Sequence, residues 1–182
     1  MNPSAPTQNP ARLFVASIIA IAAMSFGFVV RAFLLSEWRV TFNLSESQIG
    51  SIQGAGLFPQ ALTIILFSLI IDRVGYGRTI AFAFIAHVVS AIVTITATSF
   101  NGLYWGTFIF ALAGGAVEAA VNPITATLYA RSKTHHLNIL HAGWPGGMVM
   151  AACWPSRSAP RVAKMRGAGR SRSTSSRSRF MA

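Results

Sequence analysis

One carboxylate in this chain lies where carboxylates are costly. Glu118 falls in the middle of the apolar run Leu103–Ala130 and is followed by Ala119-Ala120-Val121-Asn122-Pro123. An ionisable side chain inside such a run is expensive and marks a functional position by default. Residues four apart share a helix face, so Glu118 and Asn122 project the same way. Pro123 has no backbone N–H and is expected to bend the helix there, freeing a carbonyl near Glu118. A carboxyl in this setting is a candidate to hold and release a proton. The competing reading is a structural glutamate held by hydrogen bonds. Arg31 follows Gly27 by four residues, as Glu118 follows Gly114 by four. An Arg31–Glu118 pair facing a cavity is one reading, and an Arg31 that snorkels to the membrane interface is the other. Gln53 and Gln60 are seven apart on one face, placed either to line a path with hydrogen bonds or to satisfy neighbouring helices. His87 reads as a packed hydrogen-bonding residue. His135, His136 and His141 have no carboxylate or cysteine nearby, read as loop residues and suggest no metal or other cofactor. No nucleophile array or phosphate loop is present, so an enzyme is not expected.

The second constellation is Asp72-Arg73-Val74-Gly75-Tyr76-Gly77-Arg78, a charged turn between two apolar runs. Glycine permits the positive φ of a tight turn. Asp72 would end one helix beside cations that hold that face of the protein together.

These residues need elements to carry them. Hydrophobic residues make up 53% of the 182 and charged residues 10%, too little charge for a soluble domain of this size. Spanning a bilayer takes roughly 20 apolar residues. Four runs qualify: Leu13–Val30 extending past Arg31 to Leu35, Glu46–Ile71, Thr79–Phe100 and Leu103–Ala130. Lipid cannot satisfy backbone groups, so the runs are predicted to be helices, and they are too long and too uniformly apolar for barrel strands. Ser45-Glu46-Ser47-Gln48 has the form of a capping box that starts the second helix. Glu37 to Ser47 reads as a polar connection, and Asn101-Gly102 as a tight turn. Gly50 with Gly54, and Ala111, Gly115 and Ala119, are small-residue series that permit close helix packing. A partial fifth span begins near Ala142. The fold class expected is therefore all-α integral membrane. Residues 1–11 are a polar terminus and 12–152 the transmembrane part. Arg12, Arg73, Arg78, Arg131 and Lys133 fall on one side against Arg31 and Arg39 on the other, which predicts a cytoplasmic N-terminus in a multi-pass inner or plasma membrane protein.

The turn resembles the signature Gly-x-x-x-Asp-Arg-x-Gly-x-x-Arg of the major facilitator superfamily of transporters. Asp72, Arg73, Gly75 and Arg78 match, and Ser68 takes the first glycine position. Glu118, Asn122 and Pro123, with Thr125, Leu128 and His136-Leu137-Asn138, resemble the fucose permease-like branch of sugar:proton symporters. That branch carries an aspartate in its first span, and Leu34 falls about where it would be. The resemblance implies that Asp72, Arg73, Gly75 and Arg78 gate the rocking of two six-span halves. It also implies that Glu118 and Asn122 serve sugar recognition and proton coupling near the midplane. The partners implied are the bilayer, a sugar and a proton, with no obligate protein partner. About twelve spans are expected of the family, so the chain reads as an N-terminal fragment that does not transport by itself.

Residues 153–182 change character. Residues 151–182 carry eight Lys/Arg and no acid, against seven and four in residues 1–150. The Arg/Ser-rich stretch Arg170–Arg179 cannot bury a core and is predicted to be disordered. So abrupt a change inside an expected helix, ended by Pro155-Ser156-Arg157, is the pattern a reading-frame change leaves. Two alternatives stand beside sugar uptake: an efflux carrier of the same superfamily, and a small membrane-anchored protein whose basic tail binds anionic lipid or, less favoured for want of aromatics beyond Phe180, nucleic acid.

Overall fold

A computed structural model describes residues 9–153. The expectations for the polar N-terminal residues before Asn9, for Pro155–Arg157 and for the basic tail beyond Cys153 lie outside the described residues. Six helices form, with no strand among the described residues: α1 Pro10–Thr41, α2 Glu46–Val74, α3 Tyr76–Ile95, α4 Phe100–Leu128, α5 Lys133–His141 and α6 Gly143–Cys153. The first four are long and apolar enough to cross a membrane. Their outer faces are what a bilayer requires: Ile95, Phe58, Leu69 and Phe84 are 70–83% exposed, a density of bare large apolar side chains that water would not tolerate.

The helix ends follow local chemistry. Asn9 caps α1 by accepting from the Ala11 N–H at 3.0 Å, and Pro10 occupies the first turn, where its missing N–H costs nothing. α1 then runs through Glu37 and Arg39 to Thr41, so the expected long polar connection shrinks to residues 42–45, with Asn43 at φ 51°. At about 1.5 Å per residue, a helix of 32 residues exceeds the hydrocarbon thickness. Trp38 and Arg39 lie in its last turn. The predicted capping box is formed: the Gln48 N–H donates to Ser45 Oγ at 3.2 Å and the Ser45 N–H to Gln48 Oε1 at 3.0 Å.

The charged turn is tighter than expected. Asp72-Arg73-Val74 complete α2, Tyr76-Gly77-Arg78 open α3, and Gly75 alone joins them at φ 88°. Its N–H closes α2 on the Ile71 carbonyl at 2.7 Å, and its carbonyl accepts from both the N–H and the Oγ1 of Thr79. The next turn is residues 96–99 rather than Asn101-Gly102, which belong to α4. Gly102 is needed there for a different reason: a Cβ on it would sit 2.8 Å from that of Ala97.

α4 is the buried centre. Of its most apolar stretch 61% is buried, against 17–22% in the other three spans. α2 and α3 both pack along it, whereas α1 packs chiefly on α6 and scarcely touches α2. Ile21 and Met24 from α1, Ala83 from α3, Phe110, Val117 and Val121 from α4 and Leu140 from α5 form the main core. A second cluster, Leu44, Ile52 and Leu103, closes the end where α1 meets α2. Ala111, Gly115 and Ala119 supply the close contact expected of them, but Gly50 faces open space and Gly54 meets only Phe58 of its own helix.

The fifth helical segment begins earlier than the hydrophobic run. Lys133–His141 is helical despite its polarity, placing His135, His136 and His141 on α5 rather than in a loop. Leu137 and Leu140 face the core. His136 is fixed by Ser132 at 3.0 Å and by stacking on Tyr129 at 3.6 Å between centroids. Ala142, itself in helical conformation, leads into α6.

Candidate functional site

Two polar centres lie inside the bundle, and both are built on α4. In the first, Glu118 Oε1 accepts a hydrogen bond from Gln60 Nε2 of α2 and another from Trp144 Nε1 of α6, each 3.1 Å. Oε2 has no protein partner among the described residues. Both donors are neutral, and no cation pairs with the carboxyl.

Glycines bring these donors within reach. A Cβ on Gly115 would lie 2.5 Å from the Gln60 carbonyl oxygen, and one on Gly114 would lie 2.9 Å from Met24 Sδ. With a side chain at Gly115, α2 could not come close enough for Gln60 to touch Glu118, whereas Gly114 makes room for Met24 of α1. On the other side, Gly143 and Gly147 set α6 against α1. A Cβ on Gly147 would collide with Ser25 Oγ and the Ala22 carbonyl. Ser25 Oγ donates to the Trp144 carbonyl at 2.8 Å, and the Trp144 ring meets Phe28 edge to face at 6.0 Å. α1 thus holds α6 so that Trp144 reaches Glu118.

In the second centre Arg31 turns into the bundle. Its Nη2 donates to Ser90 Oγ at 2.7 Å and to Thr94 Oγ1 at 3.4 Å, and its Cζ lies 4.0 Å from the centroid of the Phe110 ring. Ser90 Oγ passes the bond on to the Gly106 carbonyl at 2.7 Å, which ties α1, α3 and α4 together. Arg31 Nε is buried without a partner. The guanidinium opens on a pocket of about 320 Å³ that Gln53, Thr107, Phe28 and Trp38 also line.

The expected Arg31–Glu118 pair is not made; Arg31 bonds Ser90 and Thr94 instead. Arg31 packs beside Phe110, and Glu118 lies eight residues further along α4, about 12 Å of helix rise. Four spans joined by short turns alternate in direction, so α1 and α4 run opposite ways. Equal spacings from Gly27 and Gly114 therefore carry Arg31 and Glu118 apart. Gln53 and Gln60 share a face of α2 as expected but serve different centres, Gln53 at the Arg31 pocket and Gln60 on Glu118.

Asn122 does not bond to Glu118; its Oδ1 is buried without a partner, as is Thr125 Oγ1. α4 continues unbroken through Pro123. His87 takes the packed role read for it, with Nδ1 2.8 Å from the Ala83 carbonyl and its ring edge-on to Phe110. In the α2–α3 turn, Asp72, Arg73 and Arg78 are all exposed, and no ion pair joins them. Their expected mutual clamp is absent because Gly75 alone spans the turn and sends the two helix ends to solvent. Arg39 and Glu46 form a salt bridge at the α1–α2 end.

Trp144, Ser90 and Phe110 went unseen in the sequence. Ser90 and Thr94 carried a usable signal, two hydroxyls four apart on an otherwise apolar helix. Trp144 carried none, because its contact depends on α6 folding back against α1. No protein-family model, curated protein or solved structure matches the chain.

Proposed function

We propose that this chain works in proton-coupled solute transport of the major facilitator type, with its N-terminus cytoplasmic and sugar uptake as the reading its α4 pattern favours. The observation that carries the proposal is the state of Glu118. A carboxyl inside a membrane-spanning core helix, held by two neutral donors on one oxygen and none on the other, can gain or lose a proton without breaking its scaffold. A structural glutamate would be expected to have both oxygens satisfied or a cation beside it. The Arg31 pocket lies along the same face of α2, offering a solute a site about two helical turns from the proton site. The exposed turn at Asp72, Arg73, Gly75 and Arg78 lies at the cytoplasmic end in this orientation, where opening and closing would be controlled.

The test is infrared difference spectroscopy of the reconstituted chain across a pH step. A protonated-carboxyl band that disappears in Glu118→Gln supports the reading. A spectrum unchanged by Glu118→Gln, with no titrating carboxyl inside the bilayer, refutes it.

A further inference from the structure

The Arg31 centre has a charge imbalance that the transport reading leaves unexplained. Arginine presents five N–H donors and stays ionised in proteins. Here only Nη2 finds hydrogen-bond acceptors, Ser90 and Thr94, while Nε is buried and empty and Nη1 donates to nothing. Its hydrogen-bond and ring partners among the described residues are neutral, two hydroxyls and the face of Phe110. A charge taken out of water and left without an opposite charge costs several kcal/mol, which the ring face offsets by about 2 kcal/mol. The chain has four acids, and none is paired with this guanidinium: Glu118 is committed to Gln60 and Trp144, Glu46 to Arg39, Asp72 sits at the exposed turn, and Glu37 is exposed near the end of α1. Arg31 itself makes no ion pair.

The pocket beside it has the size and character of a ligand site. At about 320 Å³ it falls within the range that holds small organic molecules. Its walls are mostly apolar, with Phe28, Trp38 and Phe110 offering ring surface, while Gln53 and Thr107 add hydrogen-bonding groups. Thr107 Oγ1 is buried with no partner. A cation with a donor to spare and aromatic walls together select an anion with an apolar or flat body.

We propose that this pocket binds a small organic carboxylate, held through the free Nη1 of Arg31 and with its body between Phe28, Trp38 and Phe110. Nη1, the one guanidinium nitrogen neither bonded nor buried, suits a carboxylate oxygen, to which it can give a charge-assisted N–H bond. An aromatic acid and a sugar acid share this chemistry, and sugar faces also stack on aromatic rings. The proposal deepens the transporter reading by naming a substrate class, but it does not depend on proton exchange at Glu118.

The experiment is equilibrium binding to the full 182-residue chain in nanodiscs, using radiolabelled phenylacetate and galacturonate beside their neutral counterparts phenylacetamide and galactose. Either acid binding roughly thirtyfold or more tightly than its neutral counterpart upholds the proposal, and which acid does so identifies the body. Arg31→Gln should abolish that preference, and Arg31→Lys should restore part of it. Gln53→Glu alters an exposed residue on the pocket wall and tests the same point should Arg31→Gln fail to fold. It should weaken acid binding at least tenfold by like-charge repulsion while helicity stays constant. Acids binding no better than neutral compounds, or acid binding indifferent to Gln53→Glu and to every folded Arg31 variant, overturns it. Glu118→Gln should leave acid binding intact, so failure of the proton site and failure of this pocket are read separately.

Discussion

Gly115 is the position at which helix packing and the Glu118 site can be tested together. An alanine there places its Cβ 2.5 Å from the Gln60 carbonyl oxygen and 2.7 Å from Thr63 Cβ, where ordinary contact begins at 3.4 Å. The obstruction includes backbone, so no side-chain rotation relieves it, and α2 must retreat from α4 by about 0.9 Å. A rigid shift of that size stretches the Gln60–Glu118 bond from 3.1 Å to about 4 Å, past hydrogen-bonding range. Overpacking costs about 1–3 kcal/mol and the lost bond about 0.5–1.5 kcal/mol, so Gly115→Ala should destabilise by roughly 2–4 kcal/mol. Gly50→Ala is the control: nothing lies within 4 Å of its Cβ, and alanine in an exposed helix gains up to about 1 kcal/mol over glycine. The assay is reversible denaturant unfolding in mixed micelles followed by circular dichroism, with the infrared carboxyl band as a readout of the site. Gly115→Ala should be less stable and should shift that band; Gly50→Ala should do neither. Equal stabilities within about 0.5 kcal/mol would show that α2 does not approach α4 as described.

Three further outcomes follow from the same geometry. Trp144→Phe keeps the ring against Phe28 but removes one donor from Glu118; it should cost about 1–3 kcal/mol in the same unfolding assay, and Glu118→Gln should reduce that penalty in a double-mutant cycle. Gly147→Val should separate α6 from α1, since even a Cβ meets Ser25 and the Ala22 carbonyl; accelerated hydrogen exchange over α6 with α3 unchanged is the expected signature. Gly75→Ala forces an alanine into φ 88° and should destabilise the α2–α3 turn by about 1–3 kcal/mol, whereas Gly77→Ala, on α3 with open space around it, should be neutral or mildly stabilising.

The sequence by itself determined the elements. Long apolar runs in a chain with little charge can satisfy their backbone in lipid only as helices, so four spans could be read without coordinates. Ser45 with Gln48 and the glycine at position 75 fixed local geometry for reasons confined to a few residues. Boundaries were less legible. α1 continues through Glu37 because polar residues at a helix end can stand in the interface, and α5 forms from a polar segment because Leu137 and Leu140 find a core only in three dimensions. Glu118 was conspicuous because a charge among apolar residues is costly wherever the chain folds. Its partners were not, since hydrogen bonds between helices depend on which faces meet and at what depth. Periodicity placed Gln60 on a face; Gly115 and the approach of α2 decided that this face meets Glu118. Tertiary structure also separated Arg31 from Glu118, because antiparallel helices carry equal spacings in opposite directions.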